Sequence, residues 1–491
     1  MAKAAKKTSE IPVLIGLFIM FVFGWVCPTW ATVTREGLLI LGAFVGWLIL
    51  VIAGRGMVVA GGLGFLALII SGYGTPKDLF AAGFGSVNTI LMIYTFIFAT
   101  AFTDSGAGEK IVRYVLSRKI LSGKPWLFTF LFITIMCVVS LIAGLVPVLL
   151  LTFGLGITVA KLVGYEPQHD WCRFLFLSVV MLAGTASAFF PFKGGALMNL
   201  AIIESYLVDG VGKVDHLQYM VFAALNQILA IVLFLVYAKV VMRMDLSALK
   251  KLDVDTIVGG MDLKLNTRQL TITIVMIIAF LYPALLMVIP ADTAAYAFFN
   301  NIGHATVMGA SVCALALVKI GGEPVINVEK VIGPKVMWGA VWAMAYVTCA
   351  ASAVASDMAG IKTWLAALLE STIGALPFTV ILLLFTLIVV FLTQVFSNMA
   401  TAAIVSAVVA PMVPMFVANS INITPLACMI CAGVMTASIT PGGSAFSAMM
   451  LAEPTFSEGN GSAWAISRGS MLLLVYTVSV LLANFIFQII F

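Results

Sequence analysis

Residues 393–404 read Thr-Gln-Val-Phe-Ser-Asn-Met-Ala-Thr-Ala-Ala-Ile, a group of hydroxyl and amide side chains inside one of the most apolar stretches of the chain. An unpaired amide or hydroxyl group in hydrocarbon costs free energy, because no water is present to bond it. We therefore expect these side chains to face protein or an ion and not lipid. The stretch predicts a polar site at membrane depth.

The composition of the chain is that of a polytopic membrane protein. Of its 491 residues, 62% are hydrophobic and 10% are charged, which leaves too little polar surface for a soluble domain of this length. Many apolar runs have the length that crosses a bilayer. The first run, 11–30, is longer than the apolar part of a signal peptide, so we expect a retained helix. The predicted fold class is an all-α, multi-pass membrane protein.

The apolar runs predict eleven crossings and two re-entrant hairpins, at 126–162 and 376–417. With a cytoplasmic N-terminus, this topology places 21 of the 26 lysine and arginine residues inside, four outside and Lys193 at membrane depth. Such a bias indicates this orientation in the cell inner (plasma) membrane. Reading either hairpin as two full spans keeps the charges inside equally well. The predicted crossings are 11–30, 37–54, 57–73, 88–105, 174–210, 218–242, 269–290, 301–318, 336–355, 424–452 and 466–490.

Three landmarks recur in the same order in the two halves of the chain. The landmarks are an Asp-containing turn, the segment around Ser140 and a Gly/Pro segment at 185–195. Each recurs 248 to 253 residues later. The segment around Ser140 recurs around Thr393, and the Gly/Pro segment recurs at 436–444. By the predicted topology the first hairpin enters from the inside and the second from the outside. The repeats are therefore inverted. Inverted repeats with interrupted spans are typical of secondary transporters with a binding site at the membrane midplane.

These features divide the chain into five predicted parts, with the longest polar stretch between the two halves. The parts are N-terminal scaffold helices (1–87), a first inverted repeat (88–242, with the hairpin 126–162 and an interrupted helix 174–210), a cytoplasmic linker (243–268), scaffold helices of the second half (269–335) and a second inverted repeat (336–491, with the hairpin 376–417 and an interrupted helix 424–452).

The interrupted helices predict sites for anions and cations. A broken helix has free N–H groups at one end, which attract anions, and free C=O groups at the other, which attract cations. Glycine and proline permit such breaks, and nearby hydroxyl groups can bind a carboxylate or a sodium ion. The candidates that the two breaks offer are Thr185, Ser187, Pro191, Thr436, Thr440, Pro441, Gly442, Gly443 and Ser444.

The segment 391–411, with Thr393 four residues before Ser397-Asn398, resembles the second Ser-Asn-Thr hairpin of the divalent-anion:sodium symporter family, within the ion-transporter superfamily. The segment 103–111 is similar to that family's connector before its first hairpin. The shared order of elements covers almost the whole chain. The resemblance implies a scaffold domain, an elevator-like transport domain, a homodimer, and import or exchange of di- or tricarboxylates.

In that family the two hairpin tips contact the substrate carboxylate and, with the interrupted helices, form two sodium sites. At the first tip Ser140 is present, but Gly144-Leu145-Val146 stands where the Ser-Asn-Thr motif is expected, so Ser140 is the remnant of a cation site. At the second tip the matching positions are the candidate cation ligands Thr393, Ser397 and Asn398, with Met399 in place of Thr, and Thr436 is a further candidate ligand for sodium.

Lys193 lies between Pro191-Phe192 and Gly194-Gly195 in the first interrupted span. A lysine at membrane depth costs about 2.5–3.5 kcal/mol on insertion scales and is functional by default. We expect its ammonium group to replace one bound sodium ion and to supply the positive charge that a dicarboxylate needs. The alternative is a lysine that snorkels to the interface. A fixed charge favours exchange, or coupling to few cations, over symport with several sodium ions.

The predicted function is secondary active transport of small organic anions, foremost di- or tricarboxylates, by an elevator mechanism. Two alternatives stay open: a cation/proton antiporter or a metalloid or inorganic-anion permease of the same superfamily, and the membrane subunit of a binding-protein-dependent carrier. The sequence has no nucleotide-binding or hydrolase motif, so we expect no enzyme activity. We expect a small anion, the bilayer and a second copy of the chain as partners, no nucleic acid, and no cofactor apart from Na⁺ as a candidate coupling ion.

Overall fold

The structure is a computed structural model and is almost entirely helical. It describes residues 10–491 apart from 54, 167, 206–212, 259, 261, 287–288, 291, 334, 362, 365–366, 368–375, 397, 441–442 and 459. In that part of the chain, the strands Lys319–Ile320 and Glu323–Pro324 form a short antiparallel pair. The all-α fold class that the composition predicts is confirmed.

The helices follow the apolar runs of the sequence. The α-helices are Ile11–Phe18, Gly24–Val26, Arg35–Ile52, Met57–Ile70, Pro76–Gly83, Val87–Asp104, Ala107–Leu116, Pro125–Ala143, Leu145–Leu162, Asp170–Ser187, Gly194–Glu204, His216–Val236, Thr267–Leu286, Ala294–Ile302, His304–Leu317, Val328–Ile332, Trp338–Ala355, Phe378–Leu392, Asn398–Val409, Val413–Ala418, Thr424–Gly433, Ala445–Ala452, Pro454–Ser457 and Gly461–Ile490. Two of them continue in the π-helical turns Ile19–Phe23 and Tyr237–Val241. Short 3₁₀ helices are Lys119–Leu121, Ala248–Lys251, Val254–Val258, Asp357–Ala359, Ala410–Met412 and Val434–Thr436.

Several helices have the length and composition of membrane spans. Among the described residues, six helices are long and apolar enough to cross a membrane, and nine further apolar helices have 10–17 residues. The six are Val87–Asp104, Pro125–Ala143, Asp170–Ser187, His216–Val241, Asn398–Ala418 and Gly461–Ile490. These helices fit a polytopic membrane protein. The number of crossings, their orientation and the re-entrant course of the hairpins stay predictions.

The N-terminal helices pack closely at small residues. A Cβ atom added at Gly42 would lie 2.5 Å from the carbonyl oxygen of Ile19, so only glycine fits at this crossing. Small residues permit such close approach between membrane helices. The rings of Trp47 and Tyr346 lie 5.4 Å apart and connect these helices to Trp338–Ala355. This packing joins helices from the predicted scaffold and from the second half of the chain.

Two helical hairpins flank the centre of the fold. The first hairpin consists of Pro125–Ala143 and Leu145–Leu162 and turns at Gly144, whose φ of +78° is a conformation that L side chains rarely adopt. The second hairpin consists of Phe378–Leu392 and Asn398–Val409, joined by a short tip. Each hairpin packs against a helix that is broken in its middle.

The segments inside the two broken helices are named here the first break, 188–193, and the second break, 437–444. The first break follows a helix whose side chains are almost all buried and which packs against both helices of the first hairpin. A broken helix presents backbone N–H and C=O groups at membrane depth. The helical halves are Asp170–Ser187 and Gly194–Glu204 around the first break, and Thr424–Gly433 and Ala445–Ala452 around the second.

Candidate functional site

The tip of the second hairpin buries its hydroxyl and amide groups against the second broken helix. Thr393 is fully buried, and its hydroxyl donates a hydrogen bond of 2.8 Å to the carbonyl oxygen of Val434. The same hydroxyl lies 3.1 Å from Oδ1 of Asn398, where the helix Asn398–Val409 begins. Met399 follows in this helix and is partly buried. Thr393 and Asn398 are therefore neighbours at the positive end of a helix dipole.

One terminal atom of the Asn398 amide faces three oxygen atoms. It lies 3.0 Å from the carbonyl oxygen of Val434, 3.1 Å from the hydroxyl of Thr393 and 3.2 Å from the carbonyl oxygen of Gly443. With nitrogen in this position, the amide donates to these oxygens. If the amide oxygen occupies this position, four oxygen atoms lie close together, and only the Thr393 hydroxyl has a hydrogen that it can donate. Hard cations prefer oxygen ligands. The three oxygens that face Asn398 can therefore accept the amide N–H in one orientation, and in the other they can bind a cation together with the amide oxygen.

The second break lies directly on the tip of the second hairpin. Thr440 donates a hydrogen bond from its hydroxyl to the main-chain carbonyl of Gln394. A Cβ atom added at Gly443 would lie 2.7 Å from the carbonyl oxygen of Thr393 and 3.1 Å from that of Gln394. Real Cβ atoms do not approach an oxygen this closely. Glycine at position 443 thus permits the contact between break and tip.

Two other candidates of the second half bond groups of the second broken helix with their hydroxyl groups. Thr436 donates to the carbonyl oxygen of Gly433 at 2.7 Å. Ser444 accepts a hydrogen bond of 3.0 Å from the backbone N–H of Ser447 and so caps the helix Ala445–Ala452. The hydroxyl hydrogen of Thr436 and the hydroxyl oxygen of Ser444 thus bond backbone groups that lie three residues away in the sequence. Three further candidates lie outside the described residues: Ser397, Pro441 and Gly442.

The first hairpin meets the first broken helix in a similar way. Ser140 is fully buried and donates a hydrogen bond of 2.6 Å to the carbonyl oxygen of Ala183. Thr185 bonds the carbonyl of Leu182 at 2.9 Å, and its hydroxyl lies 2.8 Å from the amide oxygen of Gln227. Both hydroxyl groups are thus bonded to groups of the protein. Ser140 joins the first hairpin to the first broken helix, whereas Thr185 joins this broken helix to the helix His216–Val236.

Ser187 is the last residue of the helix Asp170–Ser187, and Pro191 lies in the first break. Ser187 donates a hydrogen bond of 2.6 Å to the carbonyl oxygen of Gly184 in the preceding helical turn. Pro191 is buried, and it has no backbone N–H to leave unpaired. Proline at this position therefore leaves no unsatisfied backbone donor in the first break.

Lys193 is buried in the first break, and its ammonium group faces the first hairpin. Nζ donates a hydrogen bond to the main-chain carbonyl of Leu141 and lies 3.5 Å from that of Ile142. The residue is 8% exposed. The ammonium also lies 5.8 Å from the ring centre of Phe280, within the range of a cation–π contact. Lys193 thus bonds the last carbonyls of the helix Pro125–Ala143 with its ammonium group.

The two halves repeat one side-chain contact at corresponding positions. The hydroxyl of Ser140 bonds the carbonyl of Ala183, as the hydroxyl of Thr393 bonds the carbonyl of Val434. The two donors are 253 residues apart and the two acceptors 251, which are offsets that the sequence repeat also shows. A hydroxyl group at each hairpin tip thus fixes the end of a helical half. The contact supports a duplicated unit.

Gly184 and Met435 are also equivalent positions, 251 residues apart, and they contact each other. A Cβ atom at Gly184 would lie 2.5 Å from the carbonyl oxygen of Met435. The two broken helices therefore touch at positions that correspond in the sequence repeat.

The structure also shows the contacts of two amides, Gln394 of the polar stretch 393–404 and Gln227. Gln394 and Gln227 are amides that bond across from one element to another. Their signal in the sequence is an amide within an apolar stretch. Among the described residues, no group of three or more His, Cys, Asp and Glu side chains could hold a metal ion. The oxygen atoms around Asn398 form a candidate cation site of neutral ligands.

Comparisons with known proteins agree with this architecture. The sequence model of the family described as "Citrate transporter" matches residues 47–433 of the chain. Among solved structures, the fold is similar to the crystal structure of the YdaH transporter of Alcanivorax borkumensis, with a TM-score of 0.55 and 15% sequence identity. That match covers 91% of this chain and 98% of the other. A comparison with curated protein sequences found no match.

Proposed function

The chain belongs to the citrate transporter family of the ion-transporter superfamily, and on that premise we propose that it carries di- or tricarboxylates by elevator-type alternating access. It is a membrane-embedded secondary transporter of anions and not an enzyme. We propose that the protein forms a homodimer in the inner membrane and that its N-terminus is cytoplasmic. It works as an anion exchanger or with few coupling cations, and Na⁺ is the proposed coupling ion.

The buried ammonium group of Lys193 is the observation that carries this proposal. An anion with two or three charges needs compensating positive charge at membrane depth. Each helix N-terminus supplies about half an elementary charge, so a full cation must supply more. Lys193 bonds the carbonyl of Leu141 at the hairpin tip, where the resemblance places a sodium site. The ammonium group can thus take the place of one sodium ion in every step of transport.

The second hairpin supports a single remaining cation. Its tip brings the oxygen atoms of Thr393, Asn398, Val434 and Gly443 together within hydrogen-bond distances. Two of these are main-chain carbonyls, one is a hydroxyl and one is an amide, which are neutral ligands that suit a monovalent cation. We propose that Na⁺ binds here with the amide oxygen turned inwards. Ser397 is a proposed further ligand.

The ends of two helices are the proposed binding groups for the substrate carboxylates. The helix Gly194–Glu204 begins directly after Lys193, and the helix Asn398–Val409 begins at the second tip. The two helices pack against each other. Helix N-termini bind anions through free N–H groups and the helix dipole. The proposed substrate contacts are Lys193, Thr185, Ser187, Pro191, Ser397, Asn398, Met399, Thr440, Pro441, Gly442, Gly443 and Ser444.

The contacts of the two central polar residues favour an anion carrier over a cation/proton antiporter. The hydrogen bonds of Lys193 go to main-chain carbonyls, and those of Asn398 go to hydroxyl and carbonyl groups or to sulfur. A cation/proton antiporter would use acidic side chains at these positions to bind and release its ions. A buried lysine instead attracts an anion.

A ligand screen tests the proposed substrate class. Purified protein is heated with mono-, di- and tricarboxylates, sulfonates, sulfate and arsenite, each with and without sodium. We expect di- or tricarboxylates to raise the melting temperature, since a bound ligand stabilises the folded state. Uptake of the same anions into proteoliposomes checks that binding leads to transport. Stabilisation and uptake by arsenite or sulfate alone would contradict the carboxylate proposal.

A further inference from the structure

Gln394 is a buried amide between the second hairpin and the second break. It is 2% exposed. Its Nε2 donates hydrogen bonds to the carbonyl oxygens of Val390 at 2.8 Å and Thr436 at 3.2 Å. Its Oε1 accepts hydrogen bonds from the backbone N–H groups of Ser438 at 2.9 Å and Ile439 at 3.1 Å. A glutamine side chain has two donors and two acceptor sites, so these bonds use its full capacity.

Three of these four bonds reach the second broken helix at positions where it is no longer a regular helix. The carbonyl of Thr436 and the N–H groups of Ser438 and Ile439 belong to this irregular backbone. Without a side chain to bond them, buried backbone groups of this kind cost free energy. Gln394 therefore bonds backbone groups that the interruption of the helix leaves without helical acceptors and donors.

The main chain of Gln394 adds a fourth contact to the second broken helix. Its carbonyl oxygen accepts the hydroxyl hydrogen bond of Thr440. The close approach of Gly443 to the carbonyl oxygens of Thr393 and Gln394 lies directly beside this contact. The tip and the break thus touch through both side chain and backbone. A small change in the position of the break would change the distance between the oxygen atoms around Asn398.

We propose that Gln394 is a positioning residue, which joins the second hairpin tip and the second break into one unit and so sets the spacing of the ion and substrate site. The inference rests on the proposed function of this site. Gln394 itself does not touch the ion or the substrate. It holds the backbone of the second broken helix, which contributes the carbonyls of Val434 and Gly443 to the group of oxygens around Asn398.

The first half achieves the corresponding contact by different means. The position equivalent to Gln394, 253 residues earlier, is Leu141, whose side chain has no hydrogen-bonding group. Its carbonyl accepts the hydrogen bond of the Lys193 ammonium. A charged group thus connects hairpin and break in the first half, and a neutral amide does so in the second. Gln394 is therefore specific to the half that keeps the proposed cation site.

Two substitutions and one control test this inference. Gln394→Met keeps the length of the side chain and removes all four amide hydrogen bonds, whereas Gln394→Glu keeps the two acceptors for Ser438 and Ile439. The control is Asn226→Leu, because Asn226 is another buried amide with two side-chain bonds, to Tyr476 and Ser479. Loss of either amide should lower the melting temperature, so melting temperature alone cannot separate the two variants.

The first measurement is hydrogen–deuterium exchange in a peptide that spans 436–440. In Gln394→Met the N–H groups of Ser438 and Ile439 lose their acceptor, so we expect exchange there to become about tenfold faster or more, as local opening costs less free energy. Gln394→Glu should lie between Gln394→Met and the wild type, since its acceptors remain. Asn226→Leu should exchange in this peptide at the wild-type rate.

The second measurement is the KM of anion uptake into proteoliposomes, per amount of folded protein. We expect Gln394→Met to raise KM about tenfold, which corresponds to the binding free energy of roughly one hydrogen bond. Asn226→Leu should leave KM unchanged. Wild-type exchange in Gln394→Met would overturn the inference, and so would faster exchange with a wild-type KM. If wild-type protein transports no carboxylate, the proposed function fails, while the exchange data still decide whether Gln394 holds the break.

Discussion

The ammonium group of Lys193 donates a hydrogen bond to the main-chain carbonyl of Leu141, at the end of the first helix of the first hairpin. In the second half, the corresponding carbonyl of Gln394 accepts its hydrogen bond from the hydroxyl of Thr440. One hairpin tip is thus held by a full positive charge and the other by a neutral dipole. This asymmetry is expected of a transporter that keeps one cation site and has replaced the other.

Replacing Lys193 by alanine removes the buried positive charge. We expect Lys193→Ala to lower anion uptake about a hundredfold, because the loss of a charge-assisted contact costs up to roughly 3 kcal/mol. Lys193→Arg should keep part of the activity, since the charge persists while its geometry changes. Uptake into proteoliposomes is the measurement, with Lys161→Ala as the control at an exposed lysine of the first hairpin. Wild-type uptake by Lys193→Ala would show that the lysine serves packing only.

The amide of Asn398 is predicted to bind ligand and not to hold the core. Asn398→Ala should abolish transport and leave the protein folded and inserted in the membrane, because only the amide that faces the group of oxygens is lost. The matched control is Asn419→Ala, at an asparagine whose side chain is exposed. Radiolabelled uptake and a thermal melt of each variant are measured together. An Asn398→Ala protein that transports at the normal rate contradicts the assignment of the second tip.

Gly443 and Gly195 allow a matched test of the contact between break and tip. A Cβ atom at Gly443 would lie 2.7 Å from a carbonyl oxygen of the tip, whereas one at Gly195 meets nothing within 4 Å. Gly443→Ala should therefore destabilise the protein by about 1–3 kcal/mol and lower transport, as overpacking does. Gly195→Ala should behave like the wild type. Equal effects of the two substitutions on melting temperature and uptake would disagree with the close approach at Gly443.

Single cysteines test the predicted inverted arrangement of the two hairpins. Val395 at the second tip is 69% exposed, and Ala143 directly precedes Gly144 at the first. With the exposed Cys313 replaced, we expect Val395→Cys to react with a membrane-impermeant thiol reagent from outside in one conformation. Ala143→Cys should react from inside in another. Reaction of both cysteines from the same side only would contradict inverted hairpins.

Much of the fold follows from the sequence, because apolar runs of membrane length can only be buried or face lipid. The second tip could also be predicted, since hydroxyl and amide side chains in such a run need polar contacts. The resemblance to the ion-transporter superfamily is confirmed by the family match over 47–433. The five-part division of the chain and the roles of the site residues stay predictions.

The contacts of Lys193 and Gln394 could not be predicted, for one physical reason. Both side chains bond main-chain groups, and every residue has the same main-chain N–H and C=O. The carbonyl of Leu141 thus leaves no mark in the sequence that would connect it with a lysine 52 residues later. The same holds for the N–H of Ser438, 44 residues after Gln394. Only the geometry of the breaks brings these groups together.

The central claim is that the Lys193 ammonium group replaces one sodium ion, and the dependence of uptake on sodium concentration tests it most directly. Initial uptake rates of the transported carboxylate are measured in proteoliposomes over a range of sodium concentrations, for the wild type and for Lys193→Ala. Since one group of oxygens remains, around Thr393 and Asn398, we expect no sodium dependence or a hyperbolic one with a Hill coefficient of about 1. Uptake by Lys193→Ala should stay about a hundredfold below that of the wild type at every sodium concentration. A steep dependence on several sodium ions, together with an active Lys193→Ala protein, would contradict the claim.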